Sequence, residues 1–182
     1  MSTKYKFRNQ ELPHFVSFAV VGWIDVFTRN VYRDILVDSI EYCQREKGLI
    51  VYAWCIMTNH LHMIIGTKSK PMQDILRDMK SFTSGQLKLA IAQTPQESRK
   101  EWMLEFMHRA GKANGNNREF QFWQQDNHPI ELSNNTMIDQ RLDYLHNNPV
   151  EAGFVIHPEE YPYSSARDYS GEKGYLEVVV IK

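Results

Sequence analysis

A chain of 182 residues, 42% hydrophobic and 24% charged, can bury one sizeable core and has the balance of a soluble globular protein. Its apolar runs fall well short of the roughly 20 residues that cross a bilayer, and MSTKYKFRNQ has no apolar stretch after its positive charges, so neither a membrane span nor a secretion signal is expected. A net charge of −1 speaks against nonspecific coating of nucleic acid, and Cys43 and Cys55, in apolar-patterned segments without a CxxC pair, fit a cytoplasmic protein.

Along the chain, HFVSFAVVGW (14–23) is rich in β-branched and aromatic residues and predicts a buried strand. Tyr32, Ile35, Leu36, Ile40 and Cys43 recur at helical spacing and predict a helix from about 30 to 46. IVYAWCIM (50–57) is a second strand. Thr58-Asn59 is a two-residue turn in which the asparagine suits a left-handed backbone, and HLHMIIG (60–66) is the return strand. Pro71 suits the first turn of a helix with Met72, Ile75, Leu76, Met79 and Phe82 on its apolar face. After Thr94-Pro95, Trp102, Met103, Phe106, Met107 and Ala110 mark an added helix stopping near Gly111, and KANGNNRE (112–119) reads as a polar loop.

FQFWQ (120–124) predicts a further strand. A helix capped by Asn134 or Asn135 carries Ile138, Leu142 and Leu145 and is expected to end near Asn148, because Pro149 follows. The tail holds SSARDY (164–169) and the strand-like YLEVVVIK (175–182). Strand, helix, hairpin, helix, strand is the order of a ferredoxin-like βαββαβ sandwich: one α+β domain with a helical insertion at about 95–118 and an unassigned tail, 170–182. Charge is uneven along it. Lys4, Lys6 and Arg8 open the chain, Lys68, Lys70, Arg77, Lys80 and Lys88 follow, then Arg99, Lys100, Arg109, Lys112 and Arg118, while acidic residues gather in the last third. A basic face on a neutral protein is one consequence; solvated helix faces are the other.

Two constellations could carry chemistry. Strand side chains alternate, so His60 and His62 project from one face with Cα atoms about 6.6 Å apart, close enough for two imidazoles to converge on one metal ion. The HxH triplet is common by chance, but two unpartnered imidazoles inside an apolar strand after a tight turn would be costly. Tyr144 and Asn148, four residues apart, share a helix face; a boundary tyrosine with a capping asparagine is the plainer explanation of that pair.

AWCIMTNHLHMIIG (53–66) resembles the HUH motif of the single-tyrosine transposases, with Leu61 as the bulky apolar residue between the histidines. YLHNNPVEAGFV (144–155), WQQDNHPIEL (123–132) and EEYPYSSARDY (159–169) are similar to the REP-associated tyrosine transposases, a branch of that family. The resemblance runs from the first strand to about Tyr169. It implies the HUH type of ferredoxin-like fold, His60 and His62 as metal ligands, Tyr144 as nucleophile, and Asn148 where relatives carry an amide that completes the metal site. It also implies a divalent cofactor (Mg2+ or Mn2+), single-stranded DNA with hairpin structure as partner, a 5′-phosphotyrosine intermediate, and either a monomer or a homodimer.

The chemistry suits such residues. A divalent ion held by two imidazoles and an amide oxygen keeps positions open for a phosphate oxygen, and mixed nitrogen and oxygen ligands suit manganese or magnesium. A tyrosine nucleophile is also a good leaving group, so its link to phosphate is reversible, as strand transfer requires. Arg77 and Lys80, on the helix after the HxH strand, are the expected phosphate contacts, and Trp54, Phe122 and Trp123 are candidate stacking surfaces or core. Two other readings use the same residues: a zinc hydrolase with His14 or His128 as third ligand, and a hairpin-binding protein that no longer cuts.

Overall fold

The computed structural model describes residues 7–115, 119–125 and 127–181. Lys4, Lys6 and Arg118 of the basic stretches lie outside them. The strands are β1 (His14–Ala19), β2 (Leu49–Ile56), β3 (His60–Thr67) and the two-residue β4 (Ile130–Glu131). The helices are α1 (Asn30–Lys47), α2 (Met72–Gln93), α3 (Lys100–Lys112), α4 (Asn135–Glu151) and α5 (Ala166–Tyr169). The sheet is antiparallel in the order β2-β3-β1-β4, the ferredoxin-like arrangement expected from the element order.

Register assigns each strand residue to a face. Met63 pairs with Val16 and Trp54, and Leu61 with Phe18 and Ile56, all buried. This is the α2 side: Lys80 of α2 lies over the Phe18 ring, and Trp123, packed on Phe18, donates its indole N–H to Thr83 of α2. α1 packs beside α2. Residues one step along the strands point the other way. His62 is flanked there by Ser17 and Cys55, and His60 by Ala19, with α4 lying over β2 and β3. The larger apolar side therefore carries the core, and the opposite side carries the histidine pair beneath a helix.

Four local expectations need correction. Residues 120–124 do not form the fourth strand; they cross the end of β1 through an isolated bridge between Val20 and Trp123, and pairing resumes only at Ile130–Glu131. Their aromatic content reflects core packing, with Phe122 and Trp123 buried against Phe27. The strand-like tail makes no strand and touches β2 through a Val179 N–H to Val51 oxygen bond. Asn59 does not adopt a positive φ; its side chain serves instead, as described below.

Helix α4 does not stop before Pro149 but runs through it to Glu151. Proline there removes one hydrogen bond, and burial of Leu145, His146 and Pro149 on one stripe holds the helix on both sides of the interruption. Asn134 caps its start, accepting from the Met137 N–H.

Candidate active site

Placement of α4 is fixed by a strap along the outer edge of β2. Ser164 bridges Cys55, the Ile56 N–H bonds Tyr163 oxygen, and the Ser165 N–H bonds Trp54 oxygen. The Ser165 hydroxyl donates to Trp54 oxygen and accepts from the Trp54 N–H at 2.9 Å; the His146 Nε2 lies 2.9 Å from it. Tyr161 and Tyr169 hydroxyls bond the carbonyls of Ile56 and Tyr52. The segment containing SSARDY is thus a structural strap, and His146 is its rivet to α4. Sequence gave no sign of this pairing, because the partners are 19 residues apart and neither is unusual alone.

On the face so covered, the rings of His60 and His62 have centroids 4.5 Å apart. Tyr144 stands 5.3 Å from His62, ring to ring, and Asn148 lies close enough to His60 to influence its protonation. The helical turn that Pro149 leaves intact puts these two α4 side chains over the two histidines. Tyr144 is 42% exposed, whereas His62 beside it is buried. Both ends of the site come from one chain.

The histidines differ in their surroundings. The Nδ1 of His60 lies 2.6 Å from the Asn59 Oδ1, while the Asn59 amide nitrogen donates to the Trp23 carbonyl at 3.3 Å. A carbonyl oxygen can only accept, so His60 carries its proton on Nδ1 and leaves Nε2 as the lone pair. His62 is 5% exposed and neither ring nitrogen has a hydrogen-bond partner. Burial, with the nearby His60 and Arg141, pushes its pKa down to about 3. Burial also lowers that of His60, with Asn148 opposing the shift.

Two neutral imidazoles and an amide, one imidazole orphaned at about 1–3 kcal/mol per unpaired buried group, form a donor set that fits a divalent cation. The third ligands of a zinc hydrolase do not join it. His14 pairs with Ile65 on the opposite face of the sheet and bonds Leu12 oxygen through Nδ1. Among the described residues no three His, Cys, Asp or Glu side chains gather to hold a metal.

Burial of neutral histidines has a consequence for acid stability. His146, like His62, has its pKa depressed by burial, to about 4. The unfolded chain takes up these protons near pH 6.5, the folded chain only near 3–4. Stability is therefore intact above about pH 6.5 and falls as pH drops towards 4. Each site is expected to cost on the order of 2 kcal/mol at pH 5, read as a lowered melting temperature that His146→Gln partly restores.

The basic and aromatic candidates fall elsewhere. Arg77 pairs with Asp74 and Asp78, and Lys80 bonds Gln124 oxygen and Asn127. Both stand on α2, across the sheet from the histidines. Trp54, Phe122 and Trp123 are at most 5% exposed and belong to the core. The accessible aromatic is Trp23, 57% exposed and 5.9 Å from His60, with Trp102 and Phe106 of α3 exposed beyond it. Trp23 takes a positive φ of 55°, and Gly22 before it packs so closely on Phe106 that a Cβ would come within 2.6 Å of the ring. Sequence reading placed Trp23 inside a strand; the Gly-Trp step was the available signal that the strand had ended.

Residues 24–110 match the family of IS200-like transposases. The fold aligns over 100% of this chain and 94% of the other with a REP-associated tyrosine transposase bound to a REP hairpin, at 16% identity and a TM-score of 0.66. A Deinococcus radiodurans protein assigned as a transposase is also similar, at 18% identity and a TM-score of 0.43, over 80% of this chain and 98% of that one. No curated protein sequence matches. None of the described helices is long and apolar enough to cross a membrane. The histidine strand lies inside the segment that matches the IS200-like transposases, and the chain as a whole has the fold of the REP-associated tyrosine transposase.

Proposed function

We propose that the protein is a single-tyrosine nuclease and strand transferase acting on single-stranded DNA with hairpin structure. The observation that carries this reading is Tyr144, exposed, beside a buried His62 whose ring nitrogens have no partner. In the reading, the Tyr144 oxygen attacks the phosphorus of a backbone phosphodiester and its phenolic proton is lost to solvent or base. The bond from phosphorus to the 3′ oxygen breaks, that oxygen takes up a proton, and the 5′-phosphate stays on Tyr144. Return of a 3′-hydroxyl reverses the exchange and releases the phenol.

His60, His62 and Asn148 would hold a magnesium or manganese ion, which when bound offsets negative charge growing on the phosphate. Asn59 keeps the His60 lone pair on Nε2, and neutral His62 needs no deprotonation before it can ligate. The arrangement of Tyr144 over histidines of its own chain supports action in cis, with no homodimer required. Free Cys43 and Cys55 agree with work in the cytoplasm.

Trp23 fits as a stacking surface for a base next to the reacting phosphate. A bulky residue at positive φ costs about 1–3 kcal/mol, and here the conformation keeps an indole in solvent beside His60. Trp23→Ala is expected to weaken single-strand binding by about 1–3 kcal/mol, measured by fluorescence anisotropy with a labelled oligonucleotide. The function as a whole is tested with hairpin oligonucleotides from palindromes flanking the gene. Cleavage that needs Mg2+ or Mn2+, stops with chelator and spares a fully paired duplex is expected; metal-independent or duplex cleavage would contradict it.

A further inference from the structure

Phe15 is the hub on which the candidate site is assembled. Its ring lies 5.2 Å from that of His62 and 6.1 Å from that of Tyr144, and the Arg141 guanidinium sits 5.1 Å above it. Arg141 precedes Tyr144 by three positions on α4, so the two project on neighbouring parts of one helix face. Stacking on a buried aromatic holds the guanidinium in place while leaving its N–H donors uncommitted. Among the described residues it makes no ion pair, whereas Arg29, Arg77, Arg99, Arg109 and Arg167 are all paired with carboxylates.

We infer that Arg141 is a phosphate-binding catalytic residue: it donates to the non-bridging oxygens of the phosphate attacked by Tyr144. The inference rests on the nuclease reading and adds a fixed cation to it. A planar fork of donors suits a phosphate whose negative charge is concentrated as the nucleophile arrives. Held on Phe15, it would orient the phosphate between the tyrosine and the histidines whether or not a metal is bound. That last property separates it from the ligands.

The test compares the parent with Arg141→Gln, which keeps much of the stem on Phe15 without the charge, and with Arg141→Lys. Binding of a labelled single-stranded hairpin oligonucleotide is measured in chelator over a series of salt concentrations. Arg141→Gln is expected to make the slope of log affinity against log salt shallower by about 0.7, the loss of one phosphate contact on a single strand. Formation of the protein–DNA adduct with Mn2+ should slow by about 10²–10³-fold. Arg141→Lys should recover the salt slope but only part of the rate, because an ammonium keeps the charge and loses the fork. A parent-like slope and rate in Arg141→Gln, with the parent forming its adduct, would overturn this inference and leave the nuclease reading standing. A parent that neither binds nor forms an adduct would overturn both.

Discussion

Tyr144→Phe is expected to bind a hairpin oligonucleotide as the parent does and to lose cleavage by about 10⁴-fold or more, the scale on which removal of a covalent nucleophile acts. Tyr144 is substantially exposed, and its ring contacts are with Phe15 and His62, which a phenylalanine keeps. The α4 stripe that holds the helix uses Leu145, His146 and Pro149, none of which changes. A melting temperature within a degree or two of the parent should therefore accompany the loss. The single oxygen removed is the one atom of that side chain that can attack phosphorus. Residual cleavage near the parental rate would mean that water, not tyrosine, is the nucleophile.

His62→Leu should give a result of opposite sign in stability and function. The imidazole is buried with both ring nitrogens unpaired, a cost of about 1–3 kcal/mol that leucine does not incur. In chelator the variant is expected to melt a few degrees higher than the parent, at roughly 2–4 °C per kcal/mol for a chain of this size. Saturating Mn2+ should raise the parent's melting temperature and leave the variant's unchanged, since binding to the native state is what supplies the increment. Metal-dependent cleavage should disappear with it. A stability maximum sacrificed at one side chain is the mark of a site kept for ligation. If His62→Leu melts lower in chelator, the orphaned nitrogens are not the liability proposed.

The β-branched and aromatic runs of β1, β2 and β3 and the helical spacing in α1, α2 and α3 made the ferredoxin-like order legible, because both patterns report burial. The histidine pair was legible because strand side chains alternate, which puts His60 and His62 on one face wherever β3 lies. Fourfold spacing likewise put Tyr144 and Asn148 together, although the rule about residues before proline pointed the helix to an earlier stop. Tertiary burial overrode that local preference. Hidden from sequence were the relations set by long-range packing: His146 against Ser165, Arg141 on Phe15, and Asn59 joining Trp23 to His60. The FQFWQ segment misled because aromatic and alternating residues serve a core loop as well as a strand. Basic residues are numerous on α2, but the side of the sheet they occupy is decided by topology, which charge does not reveal.

The proposed function turns on one covalent bond, that between Tyr144 and DNA. The most direct measurement is to incubate the protein with Mn2+ and a single-stranded hairpin oligonucleotide from the palindromes beside its gene, digest with protease and nuclease, and find the modified peptide by mass spectrometry. A nucleotide 5′-phosphate on the peptide containing Tyr144, absent with chelator, is the expected result. Cleaved DNA with that peptide unmodified, or a phosphate carried by another residue, would contradict it.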